Sequence, residues 1–165
     1  MNKEKLVEMI VFFTYENPLT DTELIARLSL ADFRHFAYVH QSISGMKYFK
    51  YSQGLWPAPP FGSFFIDLFW DTGELVSVRS PYGDLLHLAT RPAELSVFST
   101  DELYICQDVL LNPQRDKWPF EFLGWQDAQD GEWVPYETIW LGMKNPVISQ
   151  DTIDWGIKIS KEFQL

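Results

Sequence analysis

The chain has 165 residues, of which 46% are hydrophobic and 16% aromatic, and carries a formal net charge of -10. That length and apolar content exclude a wholly disordered chain and fit one domain spanning 1–165 around a buried core. The acidic balance argues against direct binding to nucleic acid, and a single cysteine, Cys106, excludes an internal disulfide and suits a reducing cytoplasm.

Leu6, Ile10 and Phe13 fall on one helical face, widened by Val7, which predicts a first helix over 3–16 ended by Asn17-Pro18. Its apolar run, Met9 to Phe13, is too short to span a membrane, and Glu8 precedes it, so neither a signal peptide nor a membrane partner is expected. Thr20-Asp21-Thr22-Glu23 is a capping box flanked by Leu19 and Leu24 as a hydrophobic staple, which starts a second helix. Ser29 and Asp32 offer another box, so 21–41 reads as one bent helix or two short ones, with Phe33, Phe36 and Ala37 toward the core and Gly45 closing the helical part.

From 46 to 89 the pattern changes to strands. Met46 to Tyr51 is a first strand; Phe64 to Trp70 is a second, turned by Asp71-Thr72-Gly73-Glu74 into Leu75 to Arg79. Pro81-Tyr82-Gly83-Asp84 turns again into Leu85 to Ala89. Ser99-Thr100-Asp101-Glu102 repeats the capping box, with Phe98 and Leu103 as staple. Leu103, Cys106, Val109 and Leu110 then form a helical stripe that Asn112-Pro113 stops, with Cys106 as a small buried hydrophobe. Residues 114–148 hold Trp118, Trp125, Trp133 and Trp140 among prolines and read as loop with short pieces; 151–163 reads as a last helix, weakened by Gly156. The expected class is α+β: N-terminal helices, a small antiparallel sheet or hairpins in the middle, and further helices toward the C-terminus.

Chemistry-bearing patterns are sparse. His35, His40 and His87 are the available general bases, and Asp32-x-x-His35 places two polar groups on one helical face. Without cysteine partners, and with a poor helical phase from His35 to His40, this predicts no metal site. Asp32 is read instead as a helix cap and His35 as a partly buried, hydrogen-bonded side chain. No phosphate-binding loop, nucleophile elbow or zinc-protease signature occurs, so no catalytic residue and no cofactor are expected. Residues 21–43 have the rhythm of a helix-turn-helix, yet Arg34 is the one strong base on its second half, which speaks against reading DNA.

The segments "LADFRHF" and "SISGMKYFKYSQGLWPAPP" together resemble the Panacea domain, the SocA-like antitoxin family. The resemblance rests on Ala31, Asp32, Phe33 and His35, then Ser42-Ile43-Ser44-Gly45, Tyr48, Lys50, Gly54 and Pro57, and later on "FSTDELYICQDVL"; it covers roughly 3–112. The chain departs from the family where Gly-Pro becomes Gly54-Leu55, and where the helix-ending glycine is replaced near His40, a residue less suited to left-handed backbone. The resemblance implies a non-enzymatic antitoxin that neutralises a cognate protein toxin by direct binding, in some members delivering it to a protease as an adaptor. Two other readings stay open: an interaction module of a mobile element or phage on the same fold, and a small-ligand-binding protein or enzyme.

Charge and alternation add a surface to this reading. No acid occurs from Phe33 to Ile66, whereas 99–140 holds nine acids against Arg115 and Lys117, which suits a basic partner. Alternation along Met46 to Tyr51 separates Tyr48 and Lys50 from Phe49 and Tyr51. The expectation is that Phe49 and Tyr51 enter the core, while Tyr48, Lys50 and Trp56 face a partner.

Overall fold

A computed structural model describes residues 1–52, 54–57, 73–112, 128–142 and 149–163. Among these, helix α1 (Lys3–Thr14) and helix α2 (Asp21–Val39) precede strands β1 (Tyr48–Tyr51), β2 (Gly54–Pro57), β3 (Leu75–Arg79) and β4 (Leu85–Ala89). A short 3-10 turn (Leu95–Val97) leads to α3 (Thr100–Leu111), then β5 (Trp133–Val134), a 3-10 segment (Tyr136–Gly142) and α4 (Gln150–Phe163). The fold is α+β, with helices at both ends and antiparallel strands between. No helix among the described residues is long and apolar enough to cross a membrane.

Both capping boxes form. Thr20 accepts from the Glu23 backbone while Glu23 reaches back to Thr20, and Ser99 and Glu102 repeat the exchange at the start of α3. The flanking Leu19 and Leu24 are buried, as a staple requires. Residues 21–39 form one helix, with Ser29 inside it bonding back to the Ala26 carbonyl. Its end differs from expectation. The helix stops at Val39, and His40 takes the left-handed capping conformation (φ 59°) with its N–H on the Phe36 carbonyl, five residues before Gly45. Gly45 (φ 68°) turns the chain beyond it, where an added Cβ would lie 3.2 Å from the Met1 Cα.

Helix α1 is central. Leu6, Met9, Ile10, Val11 and Phe13 are all buried, so it is apolar on more than one side, as a helix packed against α2, α3 and β4 must be. Its two polar anchors are satisfied by long-range partners. Lys5 makes a two-pronged contact with Glu102 (2.6 and 2.7 Å), and buried Glu8 accepts from Arg91 (2.6 Å) and from the Glu94 backbone (2.7 Å). Arg91 holds the Glu8 carboxyl below its ordinary range, against the opposing effect of burial.

Among the described residues two antiparallel sheets complete the middle. One has the order β2-β1-β5, with Phe49 opposite Trp56 on one side and Trp133 on the other; the second is the hairpin β3-β4. The Pro81–Asp84 turn therefore joins β3 to β4 as expected, while the strand expected at 64–70 lies outside the described residues. Strand β1 starts two residues later than expected, and Gly54–Pro57, where no strand is expected, forms β2 paired with β1. Leu19 pairs its backbone with His87, which ties the free edge of β4 to the start of α2.

The facing of β1 is the reverse of the expectation. Tyr48 is 1% exposed and sits in the core beside Leu55 and Val134, whereas Phe49 and Tyr51 are half-buried on the other face. Alternation separates two faces but does not say which one meets α2. Here Tyr48 wins because its hydroxyl finds a buried acceptor on that helix. The tryptophan-rich region also feeds the core: buried Trp140 packs on Phe36 (5.2 Å between ring centres) and donates to the Ala37 carbonyl (3.3 Å).

Candidate partner-binding site

The residues that carry the sequence motif come together, but as a buried fastening. Ala31, Asp32, Phe33 and His35 are all buried on α2. Asp32 is wholly enclosed, mid-helix, and accepts from the Ser44 backbone (2.7 Å), the Ser44 hydroxyl and the Tyr48 hydroxyl (2.8 Å). It is therefore no helix cap; it pins the 41–48 segment across α2. Burial raises the Asp32 carboxyl above its ordinary range and the three donors pull it back. Tyr48 and Tyr136 are both pushed well above the ordinary phenol range, first by burial and then by the Asp32 charge, so both stay protonated donors. His35 Nδ1 meets the Gln41 carbonyl, which assigns the proton to that nitrogen and makes His35 a second pin on the same segment.

The remaining predicted positions are also structural or half-hidden. Lys50 is half-buried and donates to the Ala128 carbonyl, Trp56 is half-buried on β2, Gly54 is buried at a positive φ of 126°, and Gly45 turns the chain. Among the described residues no group of three or more His, Cys, Asp or Glu side chains is placed to hold a metal ion. Cys106 is buried and its thiol is pushed up, first by burial and then by the charges of Asp32 and Glu102, which removes thiolate chemistry at neutral pH.

The exposed feature is elsewhere, in a groove of about 600 Å³ between α2 and α3. Its floor is the ion pair of Arg34 with Asp108 (2.6 Å), beside His35 and Ile105. Its two rims carry Tyr38 and Tyr104, 70% and 69% exposed, with Val39 next to Tyr38 and exposed Leu111 two turns beyond Tyr104. Helix α3 carries no basic residue, but Glu102 is buried against Lys5 and Asp108 is paired with Arg34, so the exposed acid that α3 brings to the groove is Asp101. Tyr38 and Tyr104 did not stand out in the sequence. The signal was the helical phase: a stripe through Cys106 and Val109 turned inward leaves Tyr104, Asp108 and Leu111 outward.

No protein-family model, no curated protein and no solved structure matches this chain. The groove is thus to be interpreted on its own geometry.

Proposed function

We propose that this protein is a non-enzymatic binding protein, an antitoxin of the Panacea, SocA-like kind, that neutralises a basic protein toxin in the cytoplasm by seating one of its segments between α2 and α3. The observation that carries the reading is the pair of exposed tyrosines facing each other across a preformed groove. Tyrosine buries a large amphipathic surface at small entropic cost, which is why it recurs at binding hot spots. An amphipathic helix fits such an interhelical groove: an apolar anchor between the tyrosines, with lysine or arginine toward Asp101. The net charge of -10 would steer such a partner to the surface, an effect that fades as salt rises.

The buried motif supports the same reading from the other direction. Asp32, His35 and Tyr48 are consumed in holding α2 and the following segment rigid, which keeps one groove wall in place and lowers the ordering cost of binding. Delivery of the bound toxin to a protease, as the resemblance implies for some members, is a further part of this proposal. The test is genetic. Each small reading frame beside the gene is expressed alone and with this protein. The reading requires one product that arrests growth alone, is harmless in the pair, and co-purifies with the chain. A neighbourhood with no toxic product contradicts it.

A further inference from the structure

Where the β3–β4 hairpin meets the start of α2, a serine, a histidine and an aspartate converge that the groove does not use. On one face of the hairpin Leu75, Ser77 and Arg79 of β3 stand opposite Ala89, His87 and Leu85 of β4. That face runs from closed to open: Leu75 and Ala89 are buried, His87 is 3% exposed, Ser77 is half-buried, and Arg79 and Leu85 are exposed. The Leu19 and His87 backbones exchange two hydrogen bonds (3.0 and 2.7 Å), which fixes His87 against the start of α2 and brings Asp21, two residues on, beside its ring. Ser77 Oγ lies 3.0 Å from His87 Nδ1, and Asp21 Oδ1 lies 2.8 Å from Nε2. The second approach is out of line for a hydrogen bond, so buried Nε2 meets Asp21 as a charge and has no hydrogen-bond partner among the described residues.

We propose that Ser77 is a reactive serine, prepared by His87 and Asp21 to accept a short acyl group from an activated ester. The carboxylate beside Nε2 favours the tautomer that carries its proton there, which leaves the Nδ1 lone pair to receive the Ser77 hydroxyl. Ser77 Oγ attacks the ester carbonyl carbon, and its proton passes to His87 Nδ1. The bond from that carbon to the alcohol oxygen then breaks, and the departing alcohol takes the proton from His87. An O-acyl serine and a neutral imidazole remain. The imidazolium formed in between is stabilised by the Asp21 charge, which requires closeness rather than an aligned hydrogen bond. Nucleophile, base and carboxylate are thus present from three elements, with the two imidazole nitrogens in exchanged roles. Half-burial of Ser77 admits a small acyl group at the open end of the face and excludes a bulky one. The reaction is one covalent modification per chain, so it stands beside toxin binding and uses no residue of the α2–α3 groove.

The experiment exposes the full chain to millimolar p-nitrophenyl acetate at neutral pH. Timed samples are digested and the acetyl groups located by mass spectrometry, with exposed Ser52 as the internal reference. Ser77 should acetylate at least about 100-fold faster than Ser52, the low end of what a positioned general base supplies. His87→Gln should bring Ser77 down to the Ser52 rate, and Asp21→Asn should slow it at least about tenfold. Asp21→Glu keeps the charge and should retain most of the rate, a recovery that a merely structural contact would not give. Thermal melting verifies that each variant folds; Asp21 is partly exposed at the start of α2, and its variants decide the matter if His87→Gln does not fold. Acetylation of Ser77 no faster than of Ser52, or an unchanged rate in folded His87→Gln protein, overturns the proposal. An Asp21→Asn protein as fast as the wild type, or an Asp21→Glu protein as slow as Asp21→Asn, overturns the part given to Asp21.

Discussion

Replacing Asp32 with alanine removes the acceptor for three donors in a site closed to water. The Ser44 hydroxyl can turn to the Tyr48 oxygen, but the Ser44 N–H and the Tyr48 hydroxyl then have no acceptor, and neither can reach solvent, since Ser44 is fully enclosed and Tyr48 nearly so. A buried donor left unpaired costs about 1–3 kcal/mol, so two of them give roughly 2–6 kcal/mol. Against this stands the relief of no longer burying a carboxylate to which, among the described residues, no cation is hydrogen-bonded, which leaves a net loss of about 3 kcal/mol. For a chain of 165 residues that corresponds to a fall of about 6–12 °C in Tm. Asp32→Asn keeps the volume and one acceptor and should lose about half as much; Tyr48→Phe, which removes one donor, should lose about 1 kcal/mol. Denaturant melts followed by circular dichroism measure all three, and the Asp32→Asn/Tyr48→Phe double variant measures their coupling. An Asp32→Ala protein within 0.5 kcal/mol of wild type, itself about the scatter of neutral surface changes, would refute the fastening role. An Asp32→Asn protein of wild-type stability that no longer bound a partner would make Asp32 a site.

The Glu8 carboxyl, lowered chiefly by Arg91, contributes stability that is present above the ordinary carboxylate pKa and lost as pH falls through its lowered value; Glu8→Gln should cost about 1–3 kcal/mol at pH 7 and flatten the acid limb of stability against pH, and an unchanged limb would refute the pairing. Asp32 has the opposite sign. Its raised pKa favours the fold in acid, a share lost as pH rises through that value, so Asp32→Asn should remove this drift from pH-dependent melts. Cys106 should resist thiol reagents in the folded protein and react only on unfolding, as mass spectrometry after timed alkylation would show; rapid native labelling would contradict its burial. Gly45→Ala forces a side chain into left-handed backbone against the Met1 backbone and should lower stability by about 1–2 kcal/mol in the same melts, a neutral result contradicting that close approach.

What the sequence made legible was local. The boxes at Thr20 and Ser99 and the Pro81–Asp84 turn are each written within a few residues, and each forms as read, whereas the first helix, expected to run to residue 16, ends at Thr14, ahead of Asn17-Pro18. Asp32 was misplaced for the same reason: Ser29-x-x-Asp32 looks like a helix start, and nothing nearby shows that its partner is Ser44, twelve residues on. Tyr48 shows the complementary gap. Its alternation with Phe49 was visible, but its inward direction is decided by Asp32 on another element. The α2–α3 groove was invisible because it needs Tyr38 and Tyr104, 66 positions apart, to meet through packing that no local pattern encodes. The acidity of α3, by contrast, could be read directly from its residues.

The central claim, that a basic protein partner is held between α2 and α3, is tested most directly by the binding of the neutralised toxin to a Tyr38→Ala/Tyr104→Ala variant. Both side chains are largely exposed, so the variant should melt with the wild type. If each tyrosine is a hot spot worth about 2 kcal/mol, affinity should fall at least about 100-fold, with the loss mainly in the dissociation rate. A variant of unchanged Tm that binds and neutralises the toxin as the wild type does would place the interface elsewhere and contradict the account.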